Sequence, residues 1–532
     1  MVAIFFRVFF ILSCFRGKCF LLYYTMKNYR YRWGLAVLLL LVTGFRLWYI
    51  QQIPISADEA YFWQWSRHLS LCYYDQPPMI AYFIFLFTHL GRSNLLFIRL
   101  LAPLFMAATS LVMHFLARDI SGKEEIGFAC ASLVLITPVF ALGALLALVE
   151  APLTFFWILT LYFVYQAVCR NRHSCWYAAG ASLGLGMLTK YLILLLVPSI
   201  FLFLLSSPKN RQHFKSKKLW LSLLIALFIF SPVIFWNAKH HWVNFIFNFT
   251  QRHSSASLSL HPQYFGEFLA GQAGIISPLL FILLLYAIII GGEQGMKERN
   301  NKLLFLFFGS ATTLFLFAVY SLFDRPSPHW PANAYLSGFI LLFLVLHQIK
   351  WKKAFSVLLV VATFFSLSFT VILHLLPLRP NILDRFIREK NAEESNEFIS
   401  FLSNWPKTLG EKIGEIKEEM EKKNKTFILC RGFALAGYLS FYTPKQEETY
   451  CLFQETLQGQ AYRYWQNLNA HKGEDALYME TGEKSAYLER LRKAFITIKK
   501  EPLFIISKDG KIIKKISIYR AYNFQGSEFI SD

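Results

Sequence analysis

The sequence is short of charge. Only 16% of its 532 residues are Asp, Glu, Lys or Arg, against 55% hydrophobic. A water-facing surface over several domains needs more charge than that, so an ordinary soluble protein is excluded. Acid is scarcer still, with 33 acidic residues against 54 basic ones and a net charge of +21. The cations form no single patch. They sit in short clusters between apolar runs, from Lys27, Arg30 and Arg32 to Lys350, Lys352 and Lys353. That is the pattern of membrane topology and gives no reason to expect a nucleic-acid partner. Closely spaced cysteine pairs are missing too. The eight cysteines are Cys14, Cys19, Cys72, Cys130, Cys169, Cys175, Cys430 and Cys451, with no metal-type CxxC and no dense disulfide framework. Only Cys430 and Cys451 remain as a candidate bridge, and only in an oxidising compartment. There is no internal repeat and no low-complexity linker. The apolar stretch 4–12 is followed by no clear small-residue cleavage site, which argues against a removed signal peptide. Residues 1–25 are then a real extra segment or an over-extended start ahead of Met26.

What is abundant is apolar sequence in runs long enough to cross a bilayer, with 54 Phe among them. Spans are expected at about 34–50, 94–117, 126–149, 151–169, 219–236, 265–291, 303–323, 332–349 and 354–376. The stretch 176–206 is long for one span and short for two. Lys and Arg collect in cytoplasmic loops. All the basic clusters fall on one side only if 176–206 crosses twice or dips and returns, turning at Lys190. The expectation is an α-helical polytopic membrane protein of about eleven spans. It is divided into an N-terminus 1–33 on the cytoplasmic side, a transmembrane part 34–376 with a first outer loop 51–93, and a tail 377–532 on the outer side. The tail is more charged. It carries helical periodicity at 395–402 and 407–421, and strand signals at 426–429, 476–479, 503–506 and 511–518, with Asp509-Gly510 as a hairpin turn. It reads as a small α/β domain.

Polar residues with chemical potential gather in the outer loops. Asp58 and Glu59 follow the first span, where one carboxylate could act as general base toward an acceptor hydroxyl. Adjacent carboxylates point in different directions, and Ser56 or Asp58 could equally begin a helix. Glu150 stands at the outer end of a span ahead of Pro152 and could be a helix-start acid. Lys190 lies among apolar residues, where a lysine is costly unless paired, and phosphate is a natural partner. Arg252 and His253, and then Arg325 and His329, stand beside aromatics, which suits a lipid-phosphate headgroup or plain interfacial anchoring. The adjacent His240 and His241 are poorly spaced to share one metal ion, so no zinc signature is present.

These residues carry a family likeness. Asp58-Glu59 followed by Ala60-Tyr61-Phe62-Trp63 and then Tyr74-Asp75-Gln76-Pro77-Pro78 resembles the first outer loop of GT-C-fold glycosyltransferases. The likeness is to bacterial lipid A aminoarabinose transferase-like enzymes and, more distantly, to dolichyl-phosphate-mannose–protein mannosyltransferases. It continues through Glu150-Ala151-Pro152, Leu188-Thr189-Lys190-Tyr191, Gln272 with Ser277-Pro278, His329-Trp330-Pro331-Ala332 and, in the tail, Tyr442-Thr443-Pro444. The resemblance implies an inverting transfer from a polyprenyl-phosphate-linked sugar to a periplasmic acceptor (lipid A, a glycan or a protein) at a bacterial inner membrane. Asp58 would be the essential carboxylate, with Glu59 beside it. Asp75, Glu150, Lys190, Tyr191, Arg252, His253, Arg325 and His329 would serve donor phosphate and sugar. Two departures stand out. Glu150 occupies a position that often carries Asp, and Gln76 stands where some relatives have a basic residue. Metal use varies among such folds, so no cofactor is assigned and a divalent cation stays open. A flippase for a lipid-linked sugar, or a ligase for a whole glycan from a lipid diphosphate, are the competing readings.

Overall fold

The structure, a computed structural model, describes residues 20–253, 259–346, 348, 352–379, 404–452, 459–483, 485, 487–508 and 511–529. The stretch 4–12, the helix expected over 395–402 and the Asp509-Gly510 turn lie outside the described residues, as does the side chain of His253. Among the described residues, seven helices are long and apolar enough to cross a membrane, or eight if the bent pair after Lys190 is one span. Their apolar surface is left open to the surroundings, with Leu40 75% and Phe228 79% exposed. In water such a belt would be a liability, and in a bilayer it is the solvated face.

Several expected spans are broken, and the one expected over 332–349 is a shorter apolar helix. Residues 126–149 fold as helices Glu124–Ile136 and Pro138–Gly143, interrupted at Thr137 ahead of a proline. The span expected over 265–291 is instead two helices, Pro262–Ile276 and Pro278–Lys297, parted at Ser277, which takes φ +96°. The stretch 176–206 breaks at Lys190 as charge placement suggests. Helix Cys175–Met187 stops, and a 3₁₀ turn Tyr191–Leu195 leads into helix Leu196–Leu205. Irregular backbone at membrane depth is tolerated where protein or a cavity surrounds it. Among the described residues, the helix that carries the first expected span runs over Phe20–Tyr49 and so begins well ahead of residue 34. The first loop is also folded, into helices Ala57–Arg67 and Met79–Leu90.

The tail holds helix Trp405–Glu421 and strands β1 Thr426–Arg431, β2 Thr449–Leu452, β3 Asp475–Thr481, β4 Phe495–Lys500, β5 Phe504–Lys508 and β6 Lys511–Phe524. The sheet order is β2-β1-β3-β6-β4, with β5 also on β6. The β2-β1-β3 pairs are parallel and the rest antiparallel. Alternation splits the sheet's faces. Phe427, Leu429, Ala476 and Tyr478 pack on Leu491 and Ala494. Ile428, Cys430, Leu477 and Met479 turn the other way and join the large core that runs on into the helical part. Cys430 and Cys451 are register partners on β1 and β2, and both are free thiols. Helix Phe433–Tyr442, unforeseen in the sequence, lies against Ala57–Arg67. A Cβ on Gly437 would come within 3.1 Å of the Ala60 Cβ, so any larger residue there would have to push the two helices apart by a few tenths of an ångström.

Candidate active site

The local sequence Ser56-Ala57-Asp58-Glu59 starts its helix with a reciprocal cap. The Ser56 hydroxyl accepts from the Glu59 amide, and the Glu59 carboxylate accepts from the Ser56 amide. This cap turns the two neighbouring acids apart. Glu59 points into the protein and is fully buried. Its oxygens accept from Arg99 Nε and Nη2, each at 2.7 Å, and from the Ala147 amide at 2.8 Å. Burial alone would push the Glu59 carboxyl up, but the Arg99 guanidinium and these hydrogen bonds win and hold it below the usual range. Arg99 Nη1 also donates to the carbonyls of Ile50 and Ile53, so the pair fastens the end of the first span. Glu59, expected beside Asp58 as a catalytic acid, is placed by the fold away from the cavity and bonded within the protein. All its acceptor capacity is spent inside the fold.

Asp58 faces a cavity of about 660 Å³. Its polar lining comes from distant segments: Asp75 and Gln76 from the first loop, Glu150 from the start of helix Glu150–Val168, Lys190 from the break, Arg252, and His329. Thr154, Ser327 and Asn333 add further polar groups, and an apolar wall comes from Val139, Phe140 and Leu142 of the broken helix, Ile275, and Phe369 and Leu373 of the helix Lys352–Leu378. Within the polar part Lys190 Nζ lies 2.8 Å from Glu150 Oε1, and His329 Nε2 lies 3.5 Å from the same oxygen. Arg252 sits over the Phe247 and Trp330 rings, 5.9 and 5.8 Å from their centroids. Burial, then the nearby Glu150 and Glu59 charges, push the Asp58 carboxyl up, against the pull of Arg252 and Lys190. A carboxylate so raised is a better proton acceptor than one in water.

Asp75 is almost fully buried, and burial raises its carboxyl to about 6, although hydrogen bonds from the Tyr61 hydroxyl (2.6 Å) and the Gly459 amide (3.0 Å) restrain it. The Ala461 amide in turn donates to the Tyr61 oxygen. The tail thus supplies two backbone donors to this acid's network. Gly459 has φ +89°, and a Cβ there would strike Phe433 at 2.4 Å. The first loop is held from the opposite side by Asn244 Nδ2, which donates to the Tyr73 and Tyr74 carbonyls, and by Asn248 Nδ2 to the Asp75 carbonyl. Gln272, part of the resemblance, accepts from Tyr335 and donates to the Pro328 carbonyl, fixing the loop that carries His329.

Two further expectations are corrected. Tyr191 does not line the cavity. Its hydroxyl is bonded to Asn244 and its ring stacks on Phe249, so it supports the loop from behind. Arg325 is 62% exposed, paired with Glu267 and laid over Tyr264, away from the cavity. Arg99, Asn244, Asn248 and Gly459 were not expected in the site. Among the described residues, no group of three His, Cys, Asp or Glu side chains could hold a metal ion.

The profile of the dolichyl-phosphate-mannose-protein mannosyltransferase family matches residues 75–236. The lipid A galacturonosyltransferase RgtD of Rhizobium johnstonii is 30% identical over 375 residues, 68% of this chain and 76% of RgtD. The crystal structures of ArnT from Cupriavidus metallidurans, in the apo state and bound to undecaprenyl phosphate, each align with a TM-score of 0.57 at 14% identity, covering 91% of this chain and 98% of ArnT. Fold and relatives define the class as a multi-pass membrane glycosyltransferase of GT-C fold. The chain belongs to the family that includes the lipid A galacturonosyltransferase RgtD.

Proposed function

We propose that the chain transfers a sugar, with inversion, from a polyprenyl-phosphate carrier to a periplasmic acceptor such as lipid A, another glycan or a protein. The observation that carries this reading is the single cavity in which Asp58 faces cations at one part and an apolar wall at another. Lys190, Arg252 and His329 suit a phosphate, and the apolar wall suits the first prenyl units. In the reaction, the acceptor hydroxyl gives its proton to Asp58 as its oxygen attacks the anomeric carbon. The bond from that carbon to the phosphate oxygen breaks, and the electron pair leaves with the lipid phosphate, whose growing charge the cations offset. Glu150 holds Lys190 and His329 in place by its contacts with both. The RgtD name gives lipid A as that protein's acceptor and galacturonate as its sugar, which makes these the first pair to try.

In the same reading the N-terminus is cytoplasmic, and residues 377–532 form a periplasmic domain that shapes the acceptor side of the cavity. The basic clusters support this orientation.

The test is a transfer assay with purified protein, a panel of polyprenyl-phosphate sugars, and mass spectrometry of released carrier and glycosylated acceptor. Donor-dependent product that vanishes in Asp58→Asn supports the proposal. Full activity in that variant removes Asp58 as the base. Lipid-linked sugar crossing liposomes without release of carrier would replace transfer with flipping.

A further inference from the structure

A second cavity, of about 390 Å³, lies where three parts of the chain meet. His68 and Tyr73 come from the first loop, Trp236 and His240 from the end of helix Lys217–Lys239, and Tyr464 and Trp465 from the tail. Its walls are aromatic plates. The His68 ring stacks on Trp465 with centroids 5.1 Å apart at 7°, and Trp236 stacks on His240 at 4.0 Å and 17°. Tyr464 meets Trp236 and His240, both at 5.3 Å, and is itself 40% exposed. His240 Nδ1 donates to the Trp236 carbonyl at 2.7 Å, which leaves Nε2 as an acceptor. Among the described residues, no Lys, Arg, Asp or Glu lines the cavity.

This chemistry selects its ligand. A phosphate or carboxylate would find no Lys or Arg in the lining, and His68 Nε2 is already taken by Glu448 Oε1 at 2.8 Å. A lipid tail would waste the imidazole and hydroxyl edges. A neutral sugar ring matches, because one pyranose face is C–H and lies flat on an aromatic ring while its hydroxyls reach polar edges. The wall toward the first cavity is a single loop. Cys72 lines the second cavity, Gln76 lines the first, and Cys72 Sγ lies 3.8 Å from the Gln76 carbonyl oxygen. We propose that this cavity binds a saccharide unit of the acceptor, as an anchor beside the chamber that Asp58 faces. The hydroxyl that reacts then belongs to a neighbouring part of the same acceptor. The proposal rests on the transferase reading for its purpose but not for its test.

The experiment uses the full chain in detergent and ligand-observed NMR with methyl glycosides and a glucosamine disaccharide as probes. Saturation transfer to a saccharide in the wild type, lost in Tyr464→Ala and in His240→Gln with the melting temperature kept, is the expected result. In the transfer assay the same variants raise the acceptor KM about tenfold, the loss of one ring-face contact, with the donor KM unchanged. No saccharide signal from the wild type overturns the cavity assignment, whether or not the protein transfers sugar. A change in donor KM instead of acceptor KM also overturns it. Variant-sensitive saccharide binding in a protein that never transfers sugar supports the cavity and overturns the transferase reading alone.

Discussion

Lys190 Nζ lies 2.8 Å from Glu150 Oε1, so the charge proposed to meet a lipid phosphate already has a partner within the protein. A lysine at a helix break in the membrane would be costly alone, and the carboxylate makes it tolerable while the site is empty. An arriving phosphate must then share the ammonium group rather than find it unpaired. Replacing Lys190 with Gln should weaken binding of undecaprenyl phosphate about tenfold or more, the scale of a lost charge-assisted hydrogen bond. Glu150→Gln, which keeps an amide oxygen beside Lys190 and His329, should weaken it less. Titration calorimetry in detergent separates the two, and equal weakening by both variants would count against a phosphate role for Lys190.

The neighbouring acids Asp58 and Glu59 should part company under mutation. Glu59→Gln leaves Arg99 buried without its counter-charge and should cost about 3–5 kcal/mol of stability. Asp58→Asn faces the cavity and should leave the melting temperature nearly unchanged while lowering transfer about a hundredfold or more. Thermal unfolding followed by fluorescence, run beside the transfer assay, reads both. A destabilised Asp58→Asn with a normal Glu59→Gln would reverse the assignment.

Asp75 should leave a mark on the pH dependence of stability. Its carboxyl rises from an ordinary 3.8 to about 6 in the folded protein. Between those values the folded state holds the proton that the unfolded state has lost. The stabilising contribution is therefore present below pH 3.8 and fades as pH rises through about 6. The melting temperature of the wild type should fall across that window relative to Asp75→Asn. Parallel curves for the two proteins would show that Asp75 does not titrate there.

Cys430 and Cys451 are neighbours in register yet carry free, buried thiols, with burial pushing both pKa values up. They should resist alkylation in the native protein. Both should take the label once the protein is unfolded without reductant. A pair that stays unlabelled after unfolding, until a reductant is added, would show that they are bridged in the membrane environment.

The sequence exposes the parts of this site that are written locally. The Ser-x-x-Glu spacing at Ser56 and Glu59 is a cap signature, and the capping option weighed for this loop is the one the fold uses, although through Glu59 itself. Lys190 stood out because charge is rare in apolar sequence. The broken spans were legible only at Lys190. A hydropathy window averages across Thr137 and Ser277, where the backbone turns without any polar run to announce it. Contacts set by long sequence separation left no local trace. Arg99 is 40 residues from Glu59, Asn244 is 171 from Tyr73, and Gly459 is 384 from Asp75. Arg325 and Tyr191 lie outside the cavity: aromatic and basic neighbours look alike at an interface and at a binding site, and a motif fixes the position of Tyr191 in the chain and not the side its ring faces.

The close packing of Gly437 against Ala60, together with the Gly459 amide on Asp75, makes the tail and the first loop one inherited unit in this chain. The tail and residues 57–76 have to change in step. A chimaera that joined the helical part of one such enzyme to the tail of another at residue 377 would cut through the network around Asp75. One that moved residues 57–76 along with the tail would keep it whole. Natural recombination breakpoints, and useful engineered ones, should respect that spatial unit rather than the point in the chain where the apolar spans end.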